Sequence, residues 1–186
     1  MDSTQNLLER LEQLHRIGAA LSRERDIHCL LDSILEAAKR LLGADGGTLY
    51  RVTEDGEALR FAIVRTDSLG LRLGGVSEEA PQFPDLPLRL PSGALNDSLV
   101  AVHAAVHDRT INIADAYCQQ HFDFSGTRAF DARTGYHSQS FLTVPMKNHE
   151  NELIGVLQLI NATDPATGQV RAFTAQDQRL AESLAS

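Results

Sequence analysis

Residues 122–161 read FDFSGTRAFDARTGYHSQSFLTVPMKNHENELIGVLQLIN, and the nearby segment 110–117 reads TINIADAY. Two runs in this stretch carry strand chemistry. Segments 138–146 and 153–160 are rich in Val, Ile, Leu, Phe and Thr, and the polar Lys147, Asn148, His149, Glu150 and Asn151 separate them. That pattern predicts an antiparallel hairpin with a loop longer than two residues. Segment 110–113 predicts a further short strand, and 115–135 an irregular connection with one or two helical turns.

Upstream of this stretch, 98–107 reads as a short helix. Segment 67–91 holds Gly70, Gly74, Gly75, Pro81, Pro84, Pro87 and Pro91, a connection too long to be idle, with room for a strand at 86–90. Segments 48–52 and 59–66 read as strands around the turn-forming Glu54, Asp55 and Gly56. Before them, Ile27, Leu30, Leu31, Ile34, Leu35, Ala38, Leu41 and Leu42 recur at helical spacing, with Asp26 as the expected N-cap and Gly43 as the terminating glycine. Leu7, Leu11, Leu14, Gly18 and Leu21 follow the alternating four-three spacing of a coiled-coil seam. A helix at 4–22 thus either packs on its own domain or pairs with a second copy. Downstream, Thr174 and Asp177 read as a capping box for a last helix faced by Leu180, Ala181 and Leu184, expected to run on as a linker. Helices bracketing strands predict an α+β domain around an antiparallel sheet.

Composition narrows the function classes. The 186 residues suit one domain with flanking helices. A net charge of -8 without a basic cluster argues against nucleic-acid partners. No apolar run approaches a membrane span, and the acidic MDSTQNLLERLEQL start is unlike a signal peptide, so a cytoplasmic location without a membrane partner is expected. Cys29 and Cys118 are isolated and form no metal pattern, as reduced thiols would. His103 and His107, four apart on a helix, have metal-ligand spacing, but a site needs a third ligand and no Glu follows His103 as in zinc proteases, so they read as polar positions on a half-exposed helix. Asp131 and Asp164 read as turn caps, and Gly46-Gly47 opens a strand rather than a phosphate-binding helix. No catalytic constellation assembles.

Asn112 through Tyr117, Thr134-Gly135-Tyr136, Val144 through Asn148, Ile154-Gly155-Val156 and Leu159-Ile160-Asn161 together resemble the GAF domains of cyclic-nucleotide phosphodiesterases and bacterial adenylate cyclases. The likeness runs over roughly residues 10–186, strongest after Ser98, and is greatest to GAF domains placed before bacterial HD-GYP phosphodiesterase domains. It implies about six antiparallel strands, terminal helices together on one face, and a ligand pocket under loops and short helices on the other. It divides the chain into a signalling or dimer helix at 1–25, a GAF core at 26–174 and a linker helix from 175 to 186. It implies a non-catalytic sensor, with cyclic GMP or cyclic AMP as the ligand, a homodimer through the terminal helices, and an effector domain in the same chain.

The family's signature residues fall on Asn161, Phe173 and Asp177, but Ala162 stands in place of the signature lysine and Gln178 in place of its glutamate. The family's lysine–aspartate salt bridge is therefore expected to be missing. Ligand contacts carry over to Thr48, Val100, Ala101, Thr134, Ser138 and Gln158, while 64–67, where the base-stacking aromatic is expected, holds none. Without that stack, cyclic-nucleotide binding is expected to be weak or absent. Gln158, alone on an apolar strand, needs a partner from the protein, a ligand or water. Two alternatives stand beside the sensor: a ligand-free dimerisation module, and an enzyme of the free methionine sulfoxide reductase type, which the two separated cysteines disfavour. Bilin attachment is disfavoured too, because Gln119 follows Cys118.

Overall fold

Leu35, Ala38 and Leu42 recur on one side of the first described helix and are all buried, while Leu30 and Leu41 on its other side face solvent. A computed structural model describes residues 26–186, so the helix expected at 4–22 lies outside the described residues. In helix α1 (26–42), Asp26 is already helical, not a cap. Gly43, with φ of +64°, takes the left-handed conformation that ends a helix, as its position predicts.

The strands are β1 (Ala44–Val52), β2 (Ala58–Thr66), β3 (Leu71–Gly74), β4 (Leu86–Pro87), β5 (Ile111–Ile113), β6 (Phe141–Lys147), β7 (Leu153–Thr163) and β8 (Val170–Arg171). They form one antiparallel sheet in the order β3-β2-β1-β7-β6-β5, with β4 added to β2 and β8 to β7. Six strands make the continuous path, as expected, and the hairpin of the deciding stretch is β6–β7. The differences are local. β1 begins before the expected residue 48, and β6 begins only at Phe141 because the chain ahead of it is held by a side chain. β3 and β8 are too short to leave a pattern in sequence. Helix α2 is Val100–His107; helix α3, Ser125–Thr134, is longer than expected. Of the α3 side chains only Asp131 is buried, so the helix has no apolar stripe to announce it.

Helix α4 (Ala175–Leu184) packs beside α1 on one sheet face. Leu35, Ala38, Leu42, Ala181 and Ala185 meet Leu49, Ile63, Leu142, Val144, Leu157 and Leu159 there in one continuous core. The close fit shows at β1: a Cβ on Gly47 would come within 2.7 Å of Leu35 Cδ1, so any larger residue there would force the Leu35 side chain to shift. Behind β2, Arg65 is fully buried and its guanidinium donates to both oxygens of Asp32 on α1, each at 2.8 Å, and to carbonyls of Val64, Leu73 and Gly74. The opposite face carries α2 over two smaller clusters.

The signature residues prove to be fasteners. Asn161, at φ of +58°, accepts from the backbone N–H of Gln139 (2.7 Å) and Ser140 (3.2 Å) and donates to the carbonyl of His137 (2.8 Å). Phe173 is buried in the α1–α4 core. Thr174 and Asp177 form the expected capping box, with bonds of 2.8 and 3.1 Å. The lysine–aspartate bridge is missing, as Ala162 predicts, and another cation stands in for it: Arg171 Nη1 lies 2.6 Å from Asp177 Oδ2. Arg171 is the cross-strand partner of Ala162, so the charge missing at 162 arrives from the neighbouring strand. Burial works against the charged form of Asp177, but the Arg171 and Thr174 bonds outweigh it and hold this carboxyl below the ordinary range.

Candidate functional site

β1, β2, β6 and β7 turn alternate side chains away from α1 and α4, and α3 spans that outer face, leaving a cavity of about 260 Å³. This is just under the ~300–1,000 Å³ usual for small-molecule sites. The floor is polar at Thr48 and Gln158, directly paired across β1 and β7. Thr66 and Ser138 add hydroxyls to the walls.

The remaining walls are largely aromatic. Tyr50 and Phe61 have ring centroids 4.7 Å apart, and Phe61 and Phe83 are 4.9 Å apart, forming one continuous side. Phe130, Tyr136 and Phe141 also line the cavity, reached from α3, the turn after it and β6. Phe61 faces inward because of a bulge. Leu49 pairs with Ile63 but Tyr50 pairs with Phe61, so one extra residue on β2 switches which side chains face the cavity. Positions 64–67 hold no aromatic, and the ring that β2 presents to the cavity is Phe61. Phe83 and Pro84 come from the connection between β3 and β4, the glycine- and proline-rich segment.

Thr48, Ser138 and Gln158 of the expected contacts line the cavity, and the other three do not. Val100 and Ala101 lie at the start of α2, whose apolar residues are buried flat against the sheet: Val100 packs with Ile113 and Phe141, Ala101 with Tyr50 and Val156. Thr134 closes α3 on itself, donating to the Phe130 carbonyl at 2.8 Å and accepting from the Tyr136 N–H at 3.3 Å. Gln158 has protein partners: Tyr50 donates to its carbonyl oxygen at 3.2 Å and its amide donates to Thr143 at 3.0 Å. Burial raises the Tyr50 hydroxyl well above the ordinary phenol range, so it stays a donor. Burial first, and the bond to Asp45 second, do the same for Tyr136, which donates to Asp45 Oδ2 at 2.8 Å.

Asp131 was expected to cap a turn; instead its buried carboxylate holds α3 to the chain entering β6. It accepts from the Ser138 N–H and hydroxyl, both at 2.8 Å, and from the Tyr117 hydroxyl at 2.7 Å. Ser138 therefore offers the cavity acceptor lone pairs, not its proton. The one charged residue among the cavity's described lining is Arg65, and its guanidinium is committed to Asp32. An anionic group would instead meet Gly126 and Thr127, whose first-turn amides in α3 have no acceptor within the helix. Such a cavity suits a flat ring with hydrogen-bonding edges.

Comparison with known proteins agrees with this architecture. Over 157 residues the chain is 26% identical to the dual 3',5'-cyclic-AMP and -GMP phosphodiesterase 11 of Drosophila melanogaster, covering 83% of this chain and 10% of that protein. The chain thus spans about a tenth of that curated relative. Among solved structures, the GAF domain of a phosphoenolpyruvate-protein phosphotransferase from Acinetobacter superposes with a TM-score of 0.55 at 17% identity, covering 95% of this chain and 90% of the other. The type II free methionine-R-sulfoxide reductase of Thermoplasma acidophilum gives 0.51 at 15% identity, covering 87% and 89%. Both share the fold, and the second shows that this fold also hosts an enzyme. The GAF domain family matches residues 26–186, and with its antiparallel sheet flanked by helices the chain belongs to that family.

Proposed function

We propose that this domain is a regulatory sensor that binds a small ring-containing metabolite, with cyclic GMP or cyclic AMP the first ligand class to test. The observation that carries this reading is the cavity: aromatic rings at Tyr50, Phe61 and Phe83 face hydroxyl and amide groups at Thr48, Ser138 and Gln158. A purine would lie against Phe61 and Phe83 and a cyclic phosphate at the amides of Gly126 and Thr127. The likeness to a cyclic-nucleotide phosphodiesterase supports the ligand class. Binding would pull α3 toward the sheet, and the sheet would pass the shift to α1 and α4. In this reading those helices lead to an effector, a phosphodiesterase or cyclase domain, in a longer cytoplasmic protein.

A second reading, an empty dimerisation module, draws on a different observation. Ile27, Leu30 and Leu41 follow near-heptad spacing on α1 and are exposed, as is Leu180 on α4. The sensor reading includes the same homodimer, so ligand binding separates the two. The reductase reading is disfavoured because neither Cys29 nor Cys118 is among the cavity's lining residues. The Asp115 hydrogen bond also pushes the Cys118 thiol up, away from the reactive thiolate.

The test is native mass spectrometry of the purified chain for a retained metabolite, followed by calorimetry with cyclic GMP and cyclic AMP. We expect one ligand per chain. Phe61→Ala should weaken it at least about tenfold, since losing a base stack removes ~1–3 kcal/mol. No retained mass and no heat with either nucleotide, in a chain that sediments as a dimer, would favour the empty module.

A further inference from the structure

We propose that Asp97, His103 and His107 form a binding site for a divalent transition-metal ion of the zinc class, between α2 and the chain that leads into it, separate from the ligand cavity. The spacing of the two histidines supplies half a site, and the fold supplies the third ligand. One donor atom of each of the three residues lies within 4.8 Å of the other two. His107 Nε2 is 2.9 Å from Asp97 Oδ2, and His103 Nδ1 is 3.2 Å from the Asp97 carbonyl. Tetrahedral zinc with bonds of ~2.0–2.2 Å holds its donors about 3.4 Å apart. Small side-chain rotations therefore bring the three donors to bonding positions.

Several features pre-set this geometry. The imidazole centroids lie 4.4 Å apart with the rings tilted by 47°, and His103 is fixed edge-on against Phe122 at 5.1 Å. Asp97 is positioned by its neighbour Asn96, whose N–H donates to the Leu88 carbonyl and whose amide donates to the Pro87 carbonyl, both at 2.9 Å. The side chains of His107 and Asp97 are 37% and 44% exposed, so an ion can reach them and water can complete the coordination. On binding, the ion takes the place of the proton between His107 and Asp97, and the ring carries its proton on Nδ1. Two imidazoles and a carboxylate suit zinc, cobalt, nickel or copper and are a poor set for magnesium. A bound ion would tie α2 to the chain that runs on from β4, whose Leu86 is part of the cavity wall.

The tag-free chain, stripped with a chelator, is titrated with zinc by calorimetry, with cobalt by visible absorption, and with magnesium as the control. We expect one zinc or cobalt ion per chain, cobalt bands of a four- or five-coordinate site, and no magnesium binding. His107→Gln and Asp97→Asn, both at exposed positions, should each weaken zinc at least about tenfold. His149→Gln and Cys118→Ser should leave it unchanged. His103 packs on Phe122, so His103→Gln is judged only if its metal-free melting matches the wild type. No stoichiometric zinc binding, or binding that survives both His107→Gln and Asp97→Asn, would overturn the proposal.

Discussion

The two faces of the sheet solve opposite problems with the same strands. Along β7, Leu157 and Leu159 point into the core under α1 and α4 and are fully buried. Between and beyond them, Gln158 and Ile160 point at the cavity. The period of two that places every second residue on the other face makes one strand serve both purposes. The packed face is one continuous cluster, whereas the other is two smaller clusters with open space near them. A domain with a single well-filled core can leave the other face incompletely filled and keep its fold. If the proposed ligand enters the cavity, that division also separates stability from binding, and substitutions at neighbouring residues should resolve it.

The largest contrast is between Leu159→Ala and Ile160→Ala. Leu159 is at 0% exposure inside the packed face, and its truncation should cost about 2–5 kcal/mol, the range for a buried leucine that leaves a void. Ile160 is partly buried and already borders empty space, so its loss should cost about 2 kcal/mol or less, because fewer contacts are forfeited. Urea unfolding of both variants measures the difference. Equal costs would mean that the cavity face is as tightly packed as its opposite.

A smaller effect on the packed face concerns how α4 is attached. Asp177 caps that helix and pairs with Arg171, and Asp177→Asn should cost about 0.5–2 kcal/mol at neutral pH, as capping losses do. The sign of its pH dependence follows from the depressed pKa. The carboxylate is favoured in the folded state, so its contribution is fully present above the unfolded value of about 3.9. It is lost as pH falls through the lower folded value. The stability gap between wild type and Asp177→Asn should therefore be flat near neutrality and close below about pH 4. A gap that persists unchanged into acid would assign the cap's strength to something other than the charge.

These residues also mark what was legible in the sequence. The face of α1, the β6–β7 hairpin and the capping box could be read because each rests on local periodicity or spacing. Arg171 could not be assigned to Asp177, since the lone Val170–Arg171 strand that sets it opposite Ala162 leaves no pattern. Phe61 was hidden for a different reason: a bulge at Leu49/Tyr50 reverses the alternation along β2, and counting by twos then puts the wrong side chains in the cavity. The start of α2 misled in turn. Val100 and Ala101 match ligand-binding positions by sequence, yet the helix they begin is apolar enough to lie buried against the sheet.

The smallest effect on stability, and the sharpest on binding, should come from the cavity floor. From sequence alone, Gln158→Leu would be the variant of choice, expected to abolish binding with little loss of stability. Its bonds to Tyr50 and Thr143 make it unsuitable. Leucine would strip one buried hydroxyl of its acceptor and another of its donor, and each orphaned group costs about 1–3 kcal/mol. A loss of binding in that variant would be confounded with a loosened floor. Thr48 is the better probe. It pairs across the sheet with both Val64 and Gln158, lines the cavity, and is replaced by valine with almost no change in shape. Valine also suits a strand, so Thr48→Val should shift the unfolding free energy by less than about 1 kcal/mol. If a ligand edge bonds to the floor, that variant should bind it about tenfold or more weakly, because the edge then loses its partner in the cavity. Calorimetry with the retained metabolite, on wild type and Thr48→Val side by side, makes the measurement. Unchanged affinity with unchanged stability would move the ligand off the floor and toward the Phe61–Phe83 wall.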